Sequence, residues 1–242
     1  MAMPWQRANP AHDIPQWLIQ NHKHVIQDSG LFTLMFGSQK GKHPASIINK
    51  WYDALVEFTL ANGHGATCVE VDCQKVLGVE EAWRFRERLK KDIPNRIINV
   101  FHLEDGQKGL DRLIEYSDYI AISVPELRFA GKKEYVGRIA RYIKNKSPKI
   151  DIHLLGCTEE SLLRENLFCT SADSTSWIAG KRFGFIEGKH IRRLNTKAVQ
   201  QLVGMEIWEN VHQYNNEDNT NFMCYSVWSH MKKYEQICGS QK

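Results

Sequence analysis

Five short runs of apolar and β-branched residues constrain the fold of this 242-residue chain more than any other feature. They are HVIQ (24–27), CVEV (68–71), IINVFH (97–102), YIAIS (119–123) and IDIHLLG (150–156). Each is too short for a core helix and is bounded by turn or polar residues, so each reads as a strand. Amphipathic stretches separate them. ASIINKWYDALVEFTLANG (45–63) sets Ile48, Trp51, Tyr52, Leu55 and Phe58 on one helical stripe and stops at Gly63. VEEAWRFRERLKKDIP (79–94) begins acidic and ends basic, as the helix dipole prefers, and Pro94 closes it. KGLDRLIEYS (108–117) and KKEYVGRIARYIKNK (132–146) follow the same logic, and TEESLLREN (158–166) opens on Thr158 as an N-cap.

Alternating strands and helices predict a parallel sheet. No glycine-rich fingerprint follows any strand, which argues against a doubly wound dinucleotide-binding sheet. Asp28, Asp72, His102 and Ser123 each stand at the C-terminal end of a predicted strand. In a (β/α)8 barrel that end forms the mouth of the active site. The expected fold class is therefore α/β, a (β/α)8 TIM-like barrel, whole or incomplete and modified. It is expected as a single domain over 1–242, with a core at about 24–205 and a helical tail over 206–242.

Composition narrows the partners. Hydrophobic residues make up 42% of the chain, enough for a sizeable core. No run of about 18 apolar residues occurs, so no membrane span is expected. The opening MAMPWQRANPAHDIP lacks the apolar centre of a signal peptide, and a cytoplasmic location is expected. The net charge of +4 is compatible with a nucleic-acid partner. None of the six cysteines forms a CxxC pair, and in a cytosolic chain they read as buried thiols. Cys224, His230 and Cys238 lie close in sequence at a spacing that fits no common zinc motif. Neither a metal nor another cofactor is expected.

Several residues have two readings. Asp28-Ser29-Gly30 reads first as a turn, with Gly30 taking positive φ. Its functional reading is a general base on a rigid turn. Asp72, at the end of CVEVD, reads as a helix cap or ion pair, or as a carboxylate accepting from the N–H edge of a guanine-like base. Asp173 in SADSTSW reads as a capped turn or as a nucleophile toward a sugar anomeric carbon. His102 and His153 read more readily as structural histidines, although His102 stands where it could donate to a ligand. Basic residues gather at 132–149 and again at Lys181, Arg182, Lys189, Arg192 and Arg193. Each group is a solvated face or a phosphate contact. The second is favoured because it follows Asp173 and includes Trp177, Phe183 and Phe185.

Taken in order, these segments resemble the tRNA-guanine transglycosylase superfamily. HVIQDSGLF is similar to its DSGGF-type motif, CVEVD to its base-recognising strand, YSDYIAIS to a strand that usually ends in glycine, and IHLLG to its LxG element. SADSTSWIAGKRFG resembles the nucleophile segment of a phage branch whose members insert 7-deazaguanines into DNA. The resemblance runs from about residue 24 to residue 184. It implies Asp173 as nucleophile, Asp28 as general base and Asp72 as reader of the base edge. It also implies Ser29, Gly30, His102, Ser123, Leu155 and Gly156 around the base.

The implied activity exchanges guanine for a 7-deazaguanine such as preQ0 or preQ1, in DNA ahead of tRNA. The implied location is the host cytoplasm if the chain is phage-encoded, and a homodimer is compatible with the resemblance. Leu31 replaces the motif's second glycine, Ser123 stands in place of a glycine, and the tRNA enzymes' zinc motif is missing. The other readings are a tRNA-guanine transglycosylase, a nucleic-acid-binding barrel without chemistry, and a nucleoside or glycoside hydrolase.

Overall fold

The computed structural model describes residues 19–20, 24–31, 45–157, 159–175, 184–186, 189–190 and 194–239. The chain divides into two compact units, residues 1–153 and 154–242, and the division falls inside a strand.

The first unit is built on the predicted strands. They are β1 (Ile26–Gln27), β2 (Thr67–Val69), β3 (Ile97–Phe101), β4 (Tyr119–Ser123) and β5 (Asp151–Leu155). The helices between them are α1 (Ala45–Asn62), α2 (Gln74–Leu77), α3 (Val79–Asp92), α4 (Gly106–Tyr116), α5 (Val124–Phe129) and α6 (Tyr135–Lys146). The pairs β1–β2, β2–β3 and β3–β4 are parallel. β5 adjoins β4, where the Asp151 N–H donates to the Asp118 carbonyl at 2.9 Å.

The sheet runs in chain order to a sixth strand, β6 (Ser171–Ala172). A doubly wound sheet reverses its strand order at a switch point, and this order has no reversal. The molecule is thus mixed α/β with a six-stranded parallel sheet wound in one direction, an order compatible with an incomplete barrel. The apolar runs form these strands because their side chains are buried on both faces. Ile98, Val100, Ile120, Ala121 and Ile122 are each fully buried, as parallel strands require.

Ile48, Trp51, Tyr52 and Leu55 of α1 pack with Cys68, Phe85 and Leu89 in one core cluster. Phe58, expected on the same stripe, is half-buried. Thr59 takes the inward position, four residues after Leu55, and its Oγ1 accepts from Gln27 Nε2 at 2.7 Å. α5 was not expected from the sequence. Pro125 in its first turn and Glu126 beside it mark a start signal directly after β4.

One polar group lies inside this apolar frame. Glu70 follows β2 and is buried. It accepts from Arg86 Nε and Nη2 of α3, from Asn99 Nδ2 at 2.6 Å and from the Val100 N–H at 2.9 Å. Arg86 Nη2 also donates to the Val100 carbonyl at 2.8 Å. The pair is desolvated, with both side chains 3% exposed or less.

In the second unit the Asp173 N–H donates to the Leu154 carbonyl at 3.3 Å, which joins β5 to β6. α7 (Glu160–Glu165) lies between them in sequence, and its expected cap Thr158 falls outside the described residues. A hairpin follows, of β7 (Phe185–Ile186) and β8 (Lys189–His190). Three helices end the chain: α8 (Thr196–Val203), α9 (Met205–His212) and α10 (Glu217–Gly239). Asn195 caps α8 by accepting from the Ala198 N–H. Trp208 Nε1 donates to Asn221 Oδ1, and Asn221 Nδ2 donates to Thr196 Oγ1, so one asparagine ties the three helices together. The helical region thus begins about ten residues before the expected tail. Among the described residues no helix is long and apolar enough to cross a membrane.

Removing one partner of a buried ion pair leaves an uncompensated charge, which costs about 3–5 kcal/mol. Arg86→Ala is expected to lower unfolding stability by roughly that amount, read as the midpoint of a urea titration. The double variant Glu70→Gln/Arg86→Met keeps an acceptor for the Val100 N–H and is expected to lose less. Equal losses in the two variants would show that the pair's charge is not what matters.

Candidate functional site

Two groups of polar side chains gather where strands end, one in each unit. In the first unit Asp28 follows β1 directly and is exposed. The turn that carries it is fixed from both sides. Trp51 Nε1 of α1 donates to the Ser29 carbonyl at 2.7 Å, and Gly30 takes φ 72°, a left-handed conformation that favours glycine. Ser29 is buried and Leu31 enters the core cluster. The glycine-to-leucine departure from the DSGGF pattern therefore contributes a core side chain.

Asp72 lies three residues beyond β2, and His102 lies one beyond β3. His102 Nε2 meets Asp72 Oδ1 at 2.7 Å, and Nδ1 meets Glu126 Oε2 at 2.8 Å. An ionised carboxylate only accepts hydrogen bonds, so each ring nitrogen carries a proton and donates. The ring is an imidazolium held between two carboxylates. Burial by itself would lower its pKa. The hydrogen bonds and charges of Asp72 and Glu126 outweigh burial and push it up to about 10. Glu126 is affected in the opposite sense. Burial would raise its pKa, but His102 and Lys75 hold it down at about 2.

Glu126 is also the junction of a wider network. Its Oε1 accepts from Lys75 Nζ at 2.8 Å and from the Leu103 N–H at 3.3 Å. Lys75 reaches Glu104 at 2.7 Å as well. Gln74 Nε2 donates to Glu104 Oε1 and Asp105 Oδ1. Two carboxylate acceptors thus fix the direction of the Gln74 amide, and its Oε1 is buried with no hydrogen-bond partner among the described residues. Burial, with the charges of Glu70 and Asp72, pushes the Cys73 thiol up to about 12, which disfavours the reactive thiolate. Ser123 ends β4 at the N-cap of α5 and makes no side-chain cap bond.

In the second unit Asp173 follows β6. Its Oδ1 accepts from the Gly156 N–H at 2.6 Å. Gly156 stands just past β5 with φ 64°, so a left-handed glycine aims its amide at the carboxylate. Asp173 also lines a cavity of about 280 Å³, walled on the apolar side by Leu154, Leu163, Tyr234 and Ile237. This unit brings together Asp173, Gly156 and the adjacent Leu155. Lys189 pairs with Ile186 through β8, and its side chain lies outside the described residues. Lys181, Arg182, Arg192 and Arg193, with Trp177 and Phe183, also lie outside them.

Cys224, His230 and Cys238 share α10 without meeting at a point. Cys224 is buried in the helical core and His230 Nδ1 bonds the Ser226 carbonyl. Among the described residues no group of three His, Cys, Asp or Glu side chains stands together as a metal site.

Comparisons with protein-family models, with curated proteins and with solved structures return no match.

Three functional candidates were not found from the sequence: Glu126, Lys75 and Gln74. Glu126 had a usable signal, an acidic residue three places beyond a strand whose end points to the site. Lys75 and Gln74 had none, since both stand in the four-residue α2.

The sign of the pH dependence follows from the two shifts. His102 is raised, so its stabilising contribution is whole below about 6.5 and is lost as pH rises through about 10. Glu126 is lowered, so its contribution is whole above about 4.5 and is lost as pH falls through about 2. In imidazole-selective NMR both His102 ring N–H protons are expected at pH 7. Glu126→Gln is expected to lower the pH at which one is lost by roughly 1–3 pH units. A neutral His102 at pH 7 in the unsubstituted protein would contradict the clamp.

Proposed function

We propose that this chain exchanges a guanine base in nucleic acid for a 7-deazaguanine, with DNA ahead of tRNA as the polymer. The observation that carries the reading is the hold on Asp173. A carboxylate that must attack a sugar carbon needs a fixed direction. One oxygen of Asp173 is fixed by the Gly156 amide, and its backbone is fixed by Leu154 at the edge of the sheet. The cavity beside it suits a group smaller than a drug-sized ligand. The motif order supports the same reading, because every motif aspartate follows a strand at its C-terminal end.

The reaction runs in two displacements. An Asp173 oxygen attacks C1′ of the nucleotide and the C1′–N9 bond breaks, so guanine leaves with the bonding electrons and takes a proton at N9 from solvent water, to which Asp28 returns one at the end of the cycle. The sugar is held as an aspartyl ester. The incoming 7-deazaguanine then gives its N9 proton to Asp28, and N9 attacks C1′ from the face opposite the ester. The C1′–O bond breaks and Asp173 is released as the carboxylate. Two inversions give net retention and ping-pong kinetics.

Asp72 reads the base edge by accepting N–H bonds. The His102 imidazolium fixes its Oδ1, so the carboxylate meets the base already oriented. His102 acts as a positioning residue, because both of its donors are engaged by carboxylates. The target base leaves its stack to react.

The test is to incubate the protein with labelled DNA or tRNA, quench in denaturant and look for a covalent protein–nucleic acid adduct. The adduct and exchange of labelled guanine are expected with the unsubstituted protein and are expected to vanish in Asp173→Asn. Exchange at an unchanged rate in Asp173→Asn would remove the nucleophile assignment.

A further inference from the structure

The first unit presents one aromatic side chain to solvent far more fully than any other described large hydrophobic. Phe129, the last residue of α5, is 85% exposed. Its position is built. The Lys132 N–H donates to the Leu127 carbonyl and the Gly131 N–H to the Arg128 carbonyl, with Gly131 at φ 67°. That is a Schellman turn, which ends the helix sharply and satisfies its last carbonyls. The backbone under Phe129 is therefore a hydrogen-bonded turn.

Its surroundings are basic and aromatic. Residues 128–138 hold four basic residues, Arg128, Lys132, Lys133 and Arg138, and one acidic residue, Glu134. Tyr135 is half-buried, with Lys132 Nζ 5.9 Å and the Arg138 guanidinium 5.3 Å from its ring centre. Arg128, Lys132 and Arg138 are all exposed. The same short helix carries Glu126, whose carboxylate holds His102. The exposed ring thus stands one helical turn from the network that orients Asp72.

An exposed apolar ring flanked in sequence by cations is costly to leave in water and has a natural complement. Unpaired nucleobases stack on aromatic faces while the phosphates they hang from meet Arg and Lys. We infer that Phe129, with Arg128, Lys132 and Arg138, forms a docking surface for an unpaired stretch of a nucleic acid strand, with a base stacked on Phe129 and phosphates on the three cations. This rests on the proposed function for its biological polymer, but the surface stands or falls by its own measurement. It places a contact for the polymer on α5 and the turn after it.

The test uses the full chain and fluorescein-labelled oligonucleotides, with binding read by anisotropy across a salt series. Single-stranded DNA, single-stranded RNA, a fully paired duplex and an abasic strand are the probes. Phe129→Ala is expected to weaken binding of one or both single strands by roughly 5- to 100-fold, with the salt slope unchanged. Little change is expected for the abasic strand. Lys132→Ala is expected to lower the slope against log salt by about one phosphate. The ring is 85% exposed, so the melting temperature of Phe129→Ala is expected to match the parent.

Single-strand binding of Phe129→Ala equal to the parent overturns the inference. So does an equal loss on the abasic strand or the duplex, or a loss confined to anionic vesicles used as a counter-probe. Base exchange is measured in parallel. Loss of stacking without any exchange by the parent protein would sink the proposed reaction and leave the surface. Exchange by the parent with an unaffected Phe129→Ala would do the reverse.

Discussion

A carboxylate buried beneath the mouth of the sheet sets the position of what lies above it. Glu70 stands two residues before Asp72, between the second and third strands. It collects donors from α3, from the Asn99 side chain and from the β3 backbone. Ionised and dry, it is tolerable only while all of those donors stay in place. The end of β2, the end of β3 and the inner face of α3 are therefore held in one geometry. Asp72 and His102 emerge from two of those three elements, and the 2.7 Å contact between them depends on that geometry.

The hold on Asp173 is of a different kind. One part of it is a backbone amide turned toward the carboxylate by a glycine in a left-handed conformation. An amide directs a carboxylate through a dipole rather than a full charge. An imidazolium, by contrast, neutralises the carboxylate that it orients. Asp72 is thus oriented by a ring nitrogen of His102, and Asp173 is oriented in part by the Gly156 amide.

The strands were legible because an apolar run buried on both faces leaves a plain mark. YIAIS (119–123) matches β4 residue for residue. The positions of Asp28, His102 and Ser123 at strand ends followed from the same mark. Other features left none. Glu70 within CVEV looks like the outward residue of an alternating strand, and the donors of Arg86, Asn99 and the Val100 N–H make it a core group. Glu126 was hidden because α5 is six residues long, too short to show a period. Thr59 replaced Phe58 on the buried stripe because the helix turns 3.6 residues at a time, and Gln27 offered the hydroxyl a donor. The favoured basic cluster lies largely outside the described residues. In the first cluster, read as a solvated face or a phosphate contact, Lys132 and Arg138 lie over the Tyr135 ring.

The imidazolium between Asp72 and Glu126 also bears on how such a sequence can change. A ring with two acidic neighbours is less readily charged if either acid is lost, and loss of the ring takes away the donor that each acid shares with it. Any single substitution at 72, 102 or 126 that removes the polar group therefore removes at least one hydrogen bond from the trio. The three positions are therefore expected to vary together more than their neighbours do, even though 53 residues lie between the first and the last.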